Sequence, residues 1–151
     1  MSEDPSPESI LEAAHKRARE LGLPYAGALL PAEAYALMQA GARLVDVRTQ
    51  AELYWVGRIP GAVTVEWNSY PGGALNLDFI GQLSDLVGPD ETTMFICRSG
   101  GRSHHAAIAA SQAGFRHSYN VLEGFEGDKD QLQHRNTSGG WRIAGLPWVQ
   151  S

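Results

Sequence analysis

Residues 92–103 read Thr-Thr-Met-Phe-Ile-Cys-Arg-Ser-Gly-Gly-Arg-Ser, and this stretch decides the fold. Its first part, residues 92–96, is almost continuously apolar, which is typical of a strand in the middle of a parallel sheet. Its end opens a helix that is predicted over residues 102–113 and stops at Gly114. In sheets built from such units, ligands bind beyond the carboxyl ends of the strands. The residues that follow Ile96 are therefore the first candidates for a site.

Helical and extended patterns alternate through the rest of the chain. Helices are predicted over residues 6–21, after Pro31 and over residues 76–87, and strands over residues 43–48, 62–67 and 118–122. The helix over 76–87 rests on apolar residues at helical spacing: Leu77, Phe79, Ile80, Leu83, Leu86 and Val87. This alternation favours an α/β fold, with a mostly parallel sheet and helices on both faces.

The composition is that of a globular protein and excludes several classes of partner. The 151 residues fit one domain, and the net charge of -5 gives no basic field that would attract nucleic acid. The N-terminus lacks the pattern of a signal peptide, and no apolar run is long enough for a membrane span. One cysteine excludes an internal disulfide. We therefore expect a cytoplasmic protein with neither a nucleic-acid nor a membrane partner.

Cys97 stands between the central strand and the following helix. The helix N-terminus offers unpaired N–H groups and a partial positive charge. The small residues at 99–101 permit a tight loop whose N–H groups turn inward and hold an anion. Arg98 and Arg102 add permanent positive charge. Because each feature stabilises a thiolate over a thiol, Cys97 is predicted to be a nucleophile rather than a buried structural cysteine.

Two reactions suit such a loop, namely phosphoryl transfer by a cysteine phosphatase and sulfur transfer through a cysteine persulfide. Both place an anion above a helix N-terminus. A phosphate group needs a wider loop, and cysteine phosphatases have arginine at the sixth position after the cysteine. Here Arg102 is the fifth residue after Cys97, and Ser103 is the sixth. The loop is one residue too short for phosphate, which favours a persulfide.

The loop at residues 97–103 resembles the active-site loop of the rhodanese-like family. Other segments are similar to the upstream and closing blocks of that family: Leu-Val-Asp-Val-Arg at 44–48, Glu52, Gly-Arg-Ile-Pro-Gly-Ala at 57–62, Asn-Val-Leu-Glu-Gly at 120–124, and Trp141. The resemblance covers about residues 28–148. It implies a rhodanese-like fold with a five-stranded parallel sheet flanked by helices on both faces.

The resemblance also implies a chemistry. Cys97 takes a sulfane sulfur from thiosulfate or a similar anionic donor, holds it as a persulfide, and passes it to cyanide, a thiol or a protein acceptor. No metal and no organic cofactor are implied. The rest of the loop binds the substrate: Arg98, Ser99, Gly100, Gly101, Arg102 and Ser103.

Within that loop, the individual roles differ. Arg98 is expected to attract the donor, and its charge favours thiosulfate over 3-mercaptopyruvate. Arg102 either faces the pocket or pairs with a carboxylate. The hydroxyl of Ser103 can donate to sulfur or serve only at the helix start. Asp46 and Arg48 are expected to be structural residues near the site, forming ion pairs or binding loop backbone.

The predicted organisation is an N-terminal helix and extension over residues 1–26, followed by a single rhodanese-like domain over residues 27–151. Residues 127–140 are interpreted as an inserted loop before the closing tryptophan. Two residues depart from the family pattern: Arg58 stands where histidine is usual, and Glu123 replaces the first glycine of a pair.

Two other functions compete with a sulfurtransferase. A slow or non-enzymatic sulfur-delivery or regulatory module would take sulfur from a partner protein and show little activity on thiosulfate. A phosphatase would hydrolyse an aryl phosphate and lose that activity when Cys97 is replaced by serine.

Overall fold

The computed structural model describes residues 5–150 of the chain. Residues 1–4 of the predicted N-terminal extension and residue 151 lie outside the described residues. The strands are β1 (Gly27–Leu29), β2 (Arg43–Asp46), β3 (Val63–Thr64), β4 (Thr93–Ile96) and β5 (Ser118–Val121). The helices are α1 (Pro7–Leu21), α2 (Pro31–Gln39), α3 (Gln50–Trp55), α4 (Phe79–Leu86) and α5 (Gly101–Gln112).

The five strands form one parallel sheet in the order β1-β5-β4-β2-β3, with β4 in the centre. Alternate residues of a strand point to opposite faces of the sheet. Helices α1 and α2 cover one face, where the buried residues include Ile10, Ala14, Ala34, Leu37, Leu44, Met94 and Ile96. Helices α4 and α5 cover the other, where they include Val45, Phe79, Leu83, Phe95, Cys97, Ala106 and Ala110. The predicted five-stranded parallel α/β fold is confirmed.

The start of α1 follows the capping pattern of its sequence. The Ser6 hydroxyl accepts from the Ser9 N–H at 3.2 Å, Pro7 opens the helix, and Gly22 ends it in the left-handed region at φ +66°. Gly27 lies so close to α1 that a Cβ there would stand 2.8 Å from the Ala14 carbonyl. This close approach seats α1 on the edge strand β1.

The predicted helix over residues 76–87 is wrong at its start. Helix α4 begins at Phe79, and the Leu77 side chain, expected to face inward, is 94% exposed. The physical reason lies in Asn76, whose N–H donates to the Trp67 carbonyl and whose Oδ1 accepts from Asp78. These bonds hold the segment as a turn, so the helical period applies only after it.

Two elements have no counterpart among the predicted ones, and two are shorter. Edge strand β1 has only three residues, and α3 has six, which is too short for a clear apolar period. The strand predicted over 43–48 ends at Asp46, and the strand predicted over 62–67 comprises only Val63–Thr64. Backbone pairing continues beyond these ends, since the Val47 N–H donates to the Ile96 carbonyl and the Trp67 N–H donates to the Val47 carbonyl. Among residues 5–150, no helix is long and apolar enough to cross a membrane.

Candidate active site

Cys97 follows the last residue of β4 directly, at the carboxyl edge of the sheet and on its central strand. Its side chain is 1% exposed and packs in the same apolar cluster as Ala106 of α5. Helix α5 begins at Gly101, only four positions further on. The sulfur therefore sits beneath the N-terminus of α5, where the helix presents unpaired N–H groups.

A tight turn at Gly100 joins Cys97 to the helix. The Gly100 N–H donates to the Cys97 sulfur at 3.1 Å. Gly100 has φ +112°, a left-handed conformation in which a residue with a Cβ is strained. Glycine at this position thus permits the turn that aims an N–H group at the sulfur.

The segment after β5 holds the loop from behind. The N–H groups of Phe125 and Glu126 donate to the carbonyls of Cys97 and Arg98, at 2.8 and 2.9 Å. Gly124 makes this contact possible, because a Cβ there would lie 2.5 Å from the Cys97 carbonyl oxygen. The loop is therefore fixed both by its own turn and by the backbone of a second segment.

A buried polar network surrounds the other side of the sulfur. Ser103 Oγ lies 3.3 Å from the Cys97 sulfur and 2.6 Å from Asn120 Oδ1. Asn120 Nδ2 donates to the Gly100 carbonyl at 3.3 Å. Ser103 and Asn120 are both buried. Among the described residues, the Gly100 N–H and the Ser103 hydroxyl are the hydrogen-bonding neighbours of the sulfur, while the Ser99 hydroxyl is not one.

Arg102 forms a bidentate ion pair with Glu52 of α3, with Nη–Oε distances of 2.6 and 2.8 Å. Burial on its own raises the pKa of the Glu52 carboxyl, but hydrogen bonds from Arg102 and from Thr49, together with the Arg102 charge, lower the pKa to about 2. The hydrogen bond to Glu52 in turn raises the pKa of Arg102. The pair ties α5 to α3 across the loop, and both side chains also line a cavity.

Asp46 and Arg48 lie below the loop, fully buried and paired with each other. Arg48 Nε and Nη2 donate to the Asp46 carboxylate at 2.9 and 2.7 Å, and Nη2 also donates to the Gly57 carbonyl at 2.9 Å. The guanidinium carbon stands 4.1 Å from the centroid of the Phe125 ring. Because the Phe125 backbone holds Cys97, this pair supports the loop without contacting the sulfur.

A cavity of about 490 Å³ opens beside the loop. Arg98, Arg102, Trp55 and Tyr70 are among the residues that line it. The Arg98 side chain is exposed and forms no ion pair within residues 5–150. Arg98 thus adds a positive charge, uncancelled by any ion pair, to the cavity lining.

Of the two departures from the family pattern, Glu123 contacts the segment before Trp141, and Arg58 pairs with Val149. Glu123 adopts φ +69°, a left-handed conformation that glycine takes without strain. Its carboxylate accepts a hydrogen bond from the Gly140 N–H at 2.9 Å. This hydrogen bond connects the end of the 127–140 segment to the segment 123–126, which holds the active-site loop. Arg58 pairs through its backbone with Val149 at 2.8 and 2.9 Å. Trp141 is fully buried in the core.

The structure brings all seven residues of 97–103 together at the carboxyl edge of β4, with Asp46 and Arg48 beneath them. Sequence reasoning missed the direct contributions of Asn120, Trp55 and Tyr70. A polar residue in the middle of the short run at 118–122 is a signal for Asn120.

Residues 5–150 contain no group of three or more His, Cys, Asp or Glu side chains placed to hold a metal ion.

Comparisons with known proteins agree with this architecture. The sequence model of the rhodanese-like domain matches residues 30–131. The crystal structure of Rv0390 from M. tuberculosis superposes with a TM-score of 0.76 at 41% identity, over 84% of this chain and 99% of that one.

Two curated proteins are similar in sequence. The uncharacterized protein RP600 of Rickettsia prowazekii is 34% identical over 114 residues, 74% of this chain and 86% of its own length. Thiosulfate sulfurtransferase 18 of Arabidopsis thaliana is 33% identical over 97 residues, 62% of this chain and 71% of its own. The chain therefore belongs to the rhodanese-like domain family, in which one of its relatives is a thiosulfate sulfurtransferase.

Proposed function

We propose that this protein is a sulfurtransferase in which Cys97 carries a sulfane sulfur as a persulfide. The observation that carries the proposal is the position of the Cys97 sulfur, 3.1 Å from the Gly100 N–H and under the N-terminus of α5. Oriented N–H groups at that position stabilise a negative charge on sulfur. Both the thiolate and the terminal sulfur of a persulfide are such anions.

The first step fits thiosulfate or a similar anionic donor. The Cys97 thiolate attacks the outer sulfur of thiosulfate, a new sulfur–sulfur bond forms, and the old one breaks with its electron pair on departing sulfite. Arg98, exposed beside the loop, attracts the donor and steadies its sulfonate oxygens. The net charge is the same on both sides, and no oxidant is required.

The second step needs an acceptor from outside the chain. Cys97 is the only cysteine in the sequence, so the persulfide cannot be resolved as an internal disulfide. A thiolate or cyanide attacks the outer sulfur, and Cys97 leaves as the thiolate that starts the next cycle. The acceptor takes the sulfur as a persulfide or as thiocyanate.

Intact mass spectrometry tests this function. The protein is incubated with excess thiosulfate, separated from the donor, and measured beside Cys97→Ser. We expect a mass gain of one sulfur atom in the wild type, its loss on addition of cyanide with release of thiocyanate, and no gain in the variant. A mass gain that persists in Cys97→Ser would contradict the assignment.

The same experiment separates a sulfur-delivery module from an enzyme that uses thiosulfate. A delivery module gains no sulfur from thiosulfate but gains one from a persulfidated protein. Absence of any gain from thiosulfate, from 3-mercaptopyruvate and from a protein persulfide would overturn the persulfide function in both forms.

A further inference from the structure

Two tyrosine–histidine pairs stand on opposite faces of the sheet. The Tyr25 hydroxyl lies 2.7 Å from His104 Nδ1, and the Tyr119 hydroxyl lies 2.8 Å from His15 Nε2. Tyr25 belongs to the buried cluster that contains Cys97, whereas Tyr119 belongs to the cluster on the other face. The pair of Tyr25 and His104 is therefore on the same side of the sheet as the nucleophile.

Tyr25 also interacts with Asn120, the residue that holds the Ser103 hydroxyl. Burial raises the pKa of the Tyr25 phenol, and a side-chain hydrogen bond with Asn120 acts in the opposite direction. A hydrogen bond lowers the pKa of a phenol when it is donated to the phenol oxygen, because it then stabilises the phenolate. Asn120 Nδ2 is therefore the donor. It carries two N–H groups, and the other one donates to the Gly100 carbonyl at 3.3 Å.

When His104 is neutral, the hydrogen bonds of this chain all point away from the Cys97 sulfur. Ser103 donates to Asn120 Oδ1 at 2.6 Å, and Asn120 donates to the Tyr25 oxygen. Tyr25 in turn donates to His104 Nδ1, which is an acceptor while the ring proton is on Nε2. Every group has a partner in this order, and Ser103 presents a lone pair to the sulfur at 3.3 Å.

A proton on His104 Nδ1 reverses the order. A charged imidazole has two N–H groups and no acceptor, so it donates to the Tyr25 oxygen. The proton of the buried Tyr25 hydroxyl then needs another acceptor, which Asn120 supplies when its amide turns over. Asn120 Nδ2 now faces Ser103, and the Ser103 proton is free to point at the Cys97 sulfur.

His104 is placed to gain this proton in acid. Burial and the charge of the neighbouring His105 lower its pKa from the ordinary 6.5, so it is mainly neutral at pH 7. The titratable groups in contact with its ring are Tyr25, from the segment before β1, and His105 of α5 itself. The strands on which α5 packs are β4, which has no titratable side chain, and β5, whose Tyr119 lies on the other face.

We propose that Tyr25 and His104 are positioning residues for Cys97. Acting through the Asn120 amide, they decide whether the Ser103 hydroxyl donates to the sulfur. Neutral His104 keeps the proton of Ser103 turned away, and charged His104 releases it to the thiolate. The inference rests on the proposed function of Cys97 as the reacting group and adds two residues that act on it from a distance.

The alkylation rate of Cys97 by iodoacetamide, divided by the rate in Ser103→Ala, measures how strongly the hydroxyl donates to the sulfur anion. We expect a ratio of about two or less at about pH 8, rising to about ten as the pH falls below 6.5 and His104 gains its proton. The conservative variant His104→Gln offers Tyr25 an amide oxygen as acceptor but does not titrate. In that background the ratio is expected to stay at about two at every pH.

The second Tyr–His pair supplies a matched control. Tyr25→Phe removes the link between Asn120 and His104, and the ratio is expected to lose its dependence on pH while the ring still fills its place. Tyr119→Phe breaks the corresponding hydrogen bond to His15 on the opposite face. This control is expected to keep the wild-type rise in acid. If Tyr25→Phe is poorly folded, His104→Gln alone tests the same link.

A further variant moves the rise without removing it. The charge of His105 lowers the pKa of His104, so His105→Gln is expected to shift the rise to higher pH and to keep its size. A change in overall stability would not produce such a shift.

A constant ratio in the wild type would overturn the inference. So would a rise that survives in His104→Gln, because it would then come from the titration of Cys97 itself. Failure of the underlying function has a different signature, since then thiosulfate adds no sulfur to Cys97 in the wild type. The alkylation ratios do not depend on that reaction and still decide whether Tyr25 and His104 position the sulfur's hydrogen bond.

Discussion

The hydroxyl of Ser103 lies 2.6 Å from Asn120 Oδ1 and 3.3 Å from the sulfur of Cys97. A hydroxyl has a single proton to donate, and Asn120 Oδ1 can only accept. Because the distance to Asn120 Oδ1 is the shorter one, the Ser103 hydroxyl donates its proton to that oxygen and presents a lone pair to the sulfur. Donation to a sulfur anion requires the hydroxyl to turn and leaves a buried amide oxygen unsatisfied.

A double-mutant cycle measures this competition. In the wild type, Ser103→Ala is expected to slow alkylation of Cys97 by iodoacetamide about twofold or less, because the hydroxyl is held by Asn120. In the Asn120→Ala background the hydroxyl is free to donate to the anionic sulfur, and the same change is expected to slow alkylation about tenfold. The contact from Asn120 to the Gly100 carbonyl is present in both proteins of the first pair and absent from both proteins of the second, so it cancels within each comparison. Equal effects of Ser103→Ala in the two backgrounds would contradict the competition.

Gly124 is expected to be irreplaceable for reasons beyond its backbone angle. Gly124→Ala places a Cβ 2.5 Å from the Cys97 carbonyl oxygen at φ +63°, whereas Gly22→Ala at φ +66° meets nothing within 4 Å. The two variants share the strain of the left-handed conformation, about 1–2 kcal/mol. Urea unfolding is expected to show this loss for Gly22→Ala, and a loss larger by about 2 kcal/mol or more for Gly124→Ala.

A second readout separates the clash from the strain. Because Gly124 backs the loop, its alanine variant is also expected to slow sulfur transfer to Cys97 by about tenfold or more, while Gly22→Ala leaves the rate unchanged. Equal stabilities and equal rates for the two variants would show that the close contact is not needed.

The sequence predicts the central strand, the loop and helix α5 well because their signals are local. An apolar run, a glycine pair and an alanine-rich helix each carry their structure in adjacent residues. Strand β1 and helix α3 are missed because they have three and six residues and are formed through tertiary contacts. Leu77 is placed wrongly because Asn76 bonds to Trp67 across a turn, which no helical period reveals.

The candidate site likewise has a part that adjacent residues predict and a part that depends on tertiary contacts. Cys97 and its flanking residues are adjacent in sequence, so their chemistry can be inferred from the loop alone. Asn120 and Glu52 reach the loop from β5 and α3, and only the order of the strands brings them there. The sequence left open whether Arg102 faces the pocket or pairs with a carboxylate. In the structure it does both, because it pairs with Glu52 and lines the cavity.

Removing the buried partner of Arg48 is expected to destabilise the protein strongly. Asp46→Asn leaves a guanidinium that is 0% exposed without a counterion, and the expected loss is about 3–5 kcal/mol. For a chain of this size that lowers the melting temperature by about 10 °C. The control is Asp90→Asn, which breaks an exposed ion pair with Arg116 and is expected to shift the melting temperature by about 2 °C or less. A small shift for Asp46→Asn would show that the buried pair is dispensable.

Arg98 is expected to act on the encounter with an anionic donor. Arg98→Gln removes an exposed charge with no ion-pair partner in residues 5–150, so stability is expected to change little. The kcat/KM for thiosulfate is expected to fall about tenfold and to depend less on salt concentration. Arg19→Gln, which removes an equal charge from α1, is the control and is expected to keep the wild-type value. Equal salt dependence in the wild type and Arg98→Gln would contradict this role.

The ion pair between Glu52 and Arg102 predicts how stability responds to acid. The pKa of Glu52 is about 2 in the folded protein, against an ordinary value of 4.5, so the unfolded chain binds this proton first as the pH falls. The stabilisation is complete above about pH 4.5 and is lost progressively towards pH 2. Its upper limit is about 3.5 kcal/mol, because the two pKa values differ by about 2.5 and each pKa unit corresponds to about 1.4 kcal/mol, and the partial exposure of the pair to solvent lowers it.

Urea unfolding of the wild type and of Glu52→Gln at several pH values isolates this contribution. The difference in unfolding free energy between the two proteins is expected to be constant from pH 7 to about pH 5 and to shrink by about 2–3 kcal/mol on acidification to about pH 2. Groups elsewhere titrate equally in both proteins and cancel. A difference that stays constant down to pH 2 would mean that Arg102 does not hold the Glu52 carboxylate in its charged form, and the contact between α3 and α5 would then owe its stability to other interactions.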